Sequence, residues 1–185
     1  MTPLQILKNQ ILEQHPHLMI TYQFQRYADN EMCQRMLSQF DARVCRALFD
    51  RDWYKTKYDD KRPISYLFRE KGFISRKTNY HSIVVFPYQP EVFIPRFKEI
   101  MVEIWRDKVC PGGTIDAQDL DSLTSTKTRI NYATKDWYRD DNADCWIFNP
   151  TFRHRTKSRL QEDKALKAKI AETYRKMDYL EEISK

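Results

Sequence analysis

The sequence predicts an α+β fold, with a central antiparallel β-sheet and helices packed on one face. Three observations lead there. Segments with strand and helix character follow one another in the order β, α, β-hairpin, α, β, α, β, which suits a sheet with helices layered on it. The stretch from Ile64 to Pro87 reads as a hairpin, its arms rich in β-branched and aromatic residues. Two segments, Cys33 to Leu48 and Phe93 to Trp105, carry apolar stripes at helical spacing, and such stripes need a sheet or another helix to cover them.

Each element has its own local signal. Thr2 can cap a first helix with Pro3 at its first position, and Leu4, Leu7, Ile11 and Leu12 line one face. That helix should end before His15-Pro16. Leu18 to Phe24, LMITYQF, is apolar enough for an interior strand. Asp29 or Asn30 can cap the next helix, with Cys33, Met36, Leu37, Phe40, Val44 and Leu48 on its stripe and its end near Arg51. In the hairpin, Ile64 to Arg69 is the first arm, Glu70-Lys71-Gly72 begins the turn, and Asn79 to Phe86 is the second arm. Pro90 to Lys108 is an amphipathic helix stopped by Cys110-Pro111-Gly112-Gly113. Thr114 to Ala117 is a short strand, Thr126 to Trp137 a helix, Asp140 to Asp144 a polar turn, and Cys145 to Asn149 a last strand.

Length and composition narrow the function classes. A chain of 185 residues is one domain with room for a short appendage. We divide it into a domain over residues 1–150 and a basic helical extension over 151–185, whose stripe of Leu166, Ile170, Tyr174, Met177 and Leu180 can pack on the core or on another copy. The formal charge is +6, which fits a polyanionic partner such as nucleic acid. The four cysteines are scattered without a Cys-x-x-Cys pair, against a zinc knuckle or disulfide framework. No apolar run reaches the roughly 20 residues of a membrane span, and the N-terminus lacks a signal-peptide core. A cytoplasmic protein without membrane association is expected.

Two groups of residues carry candidate chemistry. Asn79 and His81 are two apart on a strand, so they point to the same side. If the hairpin arms pair, Glu70 can sit opposite them, and a carboxylate, an amide oxygen and an imidazole would converge as donors for a divalent metal. Tyr132 and Lys135 are three apart and share a helix face. A phenol can attack phosphorus when a metal polarises the phosphate and a cation steadies the charge. Singly, each has a plain structural reading: strand histidines often only pack, and Tyr-x-x-Lys is common. The loop Trp53 to Pro63, WYKTKYDDKRP, holds four basic and three aromatic residues. It is either a solvated connection or a surface touching nucleic acid by stacking and charge, with Lys55 and Lys57 as contacts. Arg76 and Lys77, and Arg153 and Arg155 in the tail, are further candidate phosphate contacts.

The combination resembles the rolling-circle replication initiators (Rep) of the HUH endonuclease superfamily, which also holds relaxases and some transposases. LMITYQF resembles their first motif. Asn79-Tyr80-His81 before the apolar SIVVF resembles their His-hydrophobic-His motif, with Asn in place of the first histidine. Asn131-Tyr132-Ala133-Thr134-Lys135 resembles the third motif, and Glu70 stands where several viral members place a carboxylate ligand. The resemblance runs from about Leu18 to Asn149. It implies the RRM/ferredoxin-like nuclease fold, with Glu70, Asn79 and His81 holding Mg²⁺ or Mn²⁺, Tyr132 as nucleophile and Lys135 orienting the phosphate or a metal-bound water. The implied activity is site-specific nicking and joining of single-stranded or hairpin origin DNA through a 5′-phosphotyrosine link. The implied partners are a host helicase and polymerase, and the compartment would be the nucleus for a eukaryotic virus. A homo-oligomer through the C-terminal helix is a further expectation. The rival readings are a Rep-like DNA-binding module that does not cut, a single-tyrosine transposase or relaxase, an RNA-recognition domain, and an assembly protein. No RNP1-like aromatic motif supports the RNA-recognition reading.

Overall fold

The computed structural model describes residues 2–24, 30–71, 78–136 and 145–148. Helix α1 spans Pro3–Glu13. Thr2 and Gln5 form a capping box at its start, a device that supplies two of the helix's unpaired backbone N–H groups with partners. Strand β1 is Leu18–Gln23 and helix α2 is Asn30–Phe49. A 3-10 turn at Thr56–Tyr58 leads to β2, Ile64–Lys71, and β3, Thr78–Val85. Helix α3, Pro90–Glu103, continues into a π-helical turn, Ile104–Val109. Then come β4, Thr114–Asp119, α4, Leu123–Ala133, and β5, Cys145–Phe148.

The five strands form one sheet in the order β4-β1-β3-β2-β5, and every neighbouring pair is antiparallel. The α+β class with a central antiparallel sheet is therefore as predicted, and β1 is interior. The hairpin arms pair, with one difference: Glu70 and Lys71 lie within β2, so the turn begins beyond them.

The placing of the helices differs from expectation. They cover both faces of the sheet, not one. Leu18, Ile20, Tyr22, Tyr80, Val84 and Leu67 face α2, α3 and the π-helical turn, where Leu37, Phe40, Val44, Phe97 and Trp105 complete the larger core. Met19, Ile83, Val85, Tyr66 and Phe68 face the other way, against Ile11 of α1 and Ile130 and Ala133 of α4. The physical reason lies in β1 and β3: both alternating sets of side chains are apolar along much of their length, so both faces need cover.

Along β3 the second face changes character. Val85 and Ile83 are apolar, then His81 and Asn79 follow in the same alternation. Helices α1 and α4 cover the apolar half, and the candidate chemistry sits at the polar half. Among the described residues no helix is long and apolar enough to cross a membrane. The compact unit that carries the sheet spans Met1–Arg153. The predicted polar turn and the C-terminal extension lie outside the described residues.

Candidate active site

The β2–β3 register sets Phe68 opposite His81 and Glu70 opposite Asn79. The β1–β3 register sets Thr21 opposite His81. All five residues belong to the face that α1 and α4 cover. His81 is buried, and its ring is held at both nitrogens. Nδ1 lies 3.1 Å from the Thr21 hydroxyl and Nε2 lies 2.7 Å from Glu70 Oε2. The other Glu70 oxygen accepts a hydrogen bond from Lys135 Nζ.

Helix α4 delivers the remaining groups. Ser122 caps it by accepting from the Ser125 N–H, three residues earlier than the sequence suggests. The helix ends at Ala133, so Lys135 lies in the turn beyond it and not on the helix itself. The turn keeps the pair together nonetheless: the Lys135 N–H donates to the Tyr132 carbonyl, and Lys135 Nζ stands 4.0 Å from the centre of the Tyr132 ring. That ring meets His81 edge to face, with centroids 5.1 Å apart. Tyr132 is 44% exposed, so a large substrate can reach it. Lys8 of α1 donates to the Asn131 side chain at 2.8 Å and ties α1 to the start of this motif.

The charges form a short relay: Lys135, Glu70, His81, Thr21. Burial pushes the Glu70 carboxyl up, but hydrogen bonds from Lys135 and His81 outweigh it and leave Glu70 below the usual carboxylate range. Burial is the largest influence on His81 and lowers it despite the attraction of Glu70. Burial also opposes the charge on Lys135, yet the Glu70 carboxylate and the Tyr132 side chain raise it. At neutral pH the site therefore holds an ammonium, a carboxylate and a neutral imidazole. A carboxylate only accepts, so His81 Nε2 donates to Glu70 and Nδ1 accepts from the Thr21 hydroxyl. Thr21 can reverse its role because a hydroxyl both donates and accepts. That reversal would free Nε2 as a metal ligand, with Thr21 orienting the ring from behind.

The donor set decides which cation fits. Among the described residues there is no cluster of three or more His, Cys, Asp or Glu that could hold a metal. Glu70 and His81, with the half-buried Asn79 on the same strand face, make an open mixed set. Such a set fits Mg²⁺ or Mn²⁺ that keeps water ligands and takes others from a phosphate.

The structure thus brings together Glu70, His81, Tyr132 and Lys135, with Asn79 beside them by register. Sequence reasoning missed Thr21 and Asp136. Thr21 alternates with Met19 and Gln23 on β1, but only the register across 60 residues reveals its partner. Asp136 is buried just after Lys135, and its negative charge acts on His81. The loop contacts fare unevenly. Lys55 donates to Asp52 at 2.7 Å, whereas Lys57 lies over the Tyr58 ring at 4.8 Å. The loop is not merely solvated, because Trp53 and Arg62 are buried and Arg62 pairs with Asp59 and the Trp53 carbonyl. Arg76, Lys77, Arg153 and Arg155 lie outside the described residues. In comparison with known proteins, no family model, curated protein or solved structure matches the chain.

Proposed function

We propose that the chain nicks and rejoins single-stranded DNA, with Tyr132 as the nucleophile. One observation carries this reading: an accessible phenol stands beside an ammonium, a carboxylate and an imidazole at the polar end of one sheet face. Tyr132 attacks phosphorus, the new bond joins its oxygen to the 5′ phosphate, and the bond to the 3′ oxygen breaks. The phenol proton passes to water, and the 3′ oxygen takes a proton back from water. Lys135 favours the negative charge that develops on the phenol and phosphate oxygens. Glu70 holds Lys135 in place, and Thr21 fixes the His81 ring. Glu70, Asn79 and His81 would hold Mg²⁺ or Mn²⁺, which when bound would polarise the phosphate.

The test is a denaturing gel of the protein incubated with single-stranded DNA and Mn²⁺. A covalent adduct is expected and should vanish in Tyr132→Phe. That variant keeps the ring against His81, so the fold should persist. An adduct that survives the substitution would move the nucleophile elsewhere. A second reading, a DNA-binding module that does not cut, is favoured by one feature: Glu70 is already satisfied by His81 and Lys135. Binding of DNA without any adduct would support it.

A further inference from the structure

On the sheet face opposite Glu70 and Tyr132, the end of α2, the 3-10 turn and the start of α3 frame an open cleft of about 640 Å³. Its wall is a row of four aromatic rings. Tyr58 and Phe49 have centroids 5.7 Å apart, Phe49 and Phe93 stack at 4.9 Å, and Phe93 and Tyr88 are 5.9 Å apart. Phe49 is buried, whereas Tyr58, Phe93 and Tyr88 are half-buried. Three cations, Arg46, Lys61 and Arg96, line the same cleft. Lys61 Nζ stands 4.9 Å from the Tyr88 ring centre, and Arg96 is fixed by donating to the Ala47 carbonyl at 3.1 Å. Asp50 is the one acid among the lining residues, and it accepts from the Arg51 N–H.

We propose that this cleft binds a segment of single-stranded nucleic acid, its bases against Tyr58 and Tyr88 and its phosphates on Arg46, Lys61 and Arg96. Bases stack on aromatic rings whatever their sequence, and cations beside the rings track the backbone. An acidic peptide would use the cations and leave the row of rings without a role. The inference goes beyond the nicking reading, since it requires no chemistry at Tyr132 and concerns a different stretch of strand from the one that would be cut.

The test uses the full chain and a fluorescent 12-nucleotide oligodeoxythymidine, with anisotropy read across a salt series. The double substitution Arg46→Gln, Lys61→Gln should weaken binding at least tenfold. Each phosphate contact on a single strand contributes a slope of about 0.7 in log K against log salt, so losing two should flatten the slope by about 1.4. The same oligonucleotide carrying 5-iododeoxyuridine should photo-cross-link to Tyr58 or Tyr88. Unchanged affinity and slope, with cross-links elsewhere, would overturn the proposal. Displacement of the oligonucleotide by an equal concentration of free dTMP would overturn it in favour of a mononucleotide pocket. A protein that forms no adduct yet loses binding in the double variant would sink the nicking reading and leave this one standing.

Discussion

Glu70 faces Asn79 across the β2–β3 ladder, yet its carboxylate bonds diagonally to His81, two residue pairs further in. The diagonal contact leaves Asn79 beside the carboxylate. Diagonal neighbours lie about 7–8 Å apart at the backbone and are reached only by long side chains. Glutamate has that length, and its second oxygen is left for Lys135.

The geometry makes Asn79 the position to change. An imidazole there would add a nitrogen donor on the face that Glu70 and His81 share, and nitrogen binds Mn²⁺ or Co²⁺ better than an amide oxygen. Asn79→His should tighten Mn²⁺ binding at least tenfold by calorimetric titration, and His81→Ala should abolish it. Equal affinities in all three proteins would mean the ion binds elsewhere.

Stability should fall in acid in two stages. His81 is lowered from 6.5 by burial and Glu70 from 4.5 by its hydrogen bonds. In both cases the unfolded chain binds protons before the folded one does, so each contribution is whole above the unfolded value and is lost as pH falls through the folded one. Urea midpoints should hold down to about pH 6.5, then drop, and drop further below about 4.5. Glu70→Gln should shrink the second stage, leaving what Asp52 and Asp107, held low by Lys55 and Arg106, contribute. A midpoint that rises on acidification would contradict the neutral state assigned to His81.

Ile130 is 1% exposed and packs with Ile83 and Phe68 beneath α4. Ile130→Ala should cost about 2–4 kcal/mol in chemical denaturation, from lost burial plus the cavity left behind. The same change should slow adduct formation by Tyr132, two residues on. Loss of stability with full activity would show that the position of α4 is fixed by other contacts.

Much of this architecture is legible in the sequence. Thr2 and Pro3 announce α1, the spacing from Cys33 to Leu48 announces α2, and the alternation of Asn79 and His81 places both on one face. The pairing of Glu70 with Asn79 follows from a closed hairpin. Other features depend on distant contacts. No local signal tells that Thr21 meets His81, because the register of β1 on β3 is set by packing of the whole face. The split of helices between the two faces depends on which side each connection takes. The end of α4 before Lys135 is missed because Thr134, whose hydroxyl donates to the Ile130 carbonyl, reads as one more helical residue.

Strand β1 also shapes how the chain is made. Its partner in β3 lies 60 residues later, and its other partner, β4, is later still. At about 5–20 residues per second of synthesis, β1 waits roughly 3–12 s before β3 exists. In that interval Leu18, Met19, Ile20 and Tyr22 form a short apolar segment of high β-propensity with neither neighbour yet made, the kind of window that seeds aggregation. The nascent chain is thus most vulnerable before the hairpin is complete, and slower elongation lengthens that exposure.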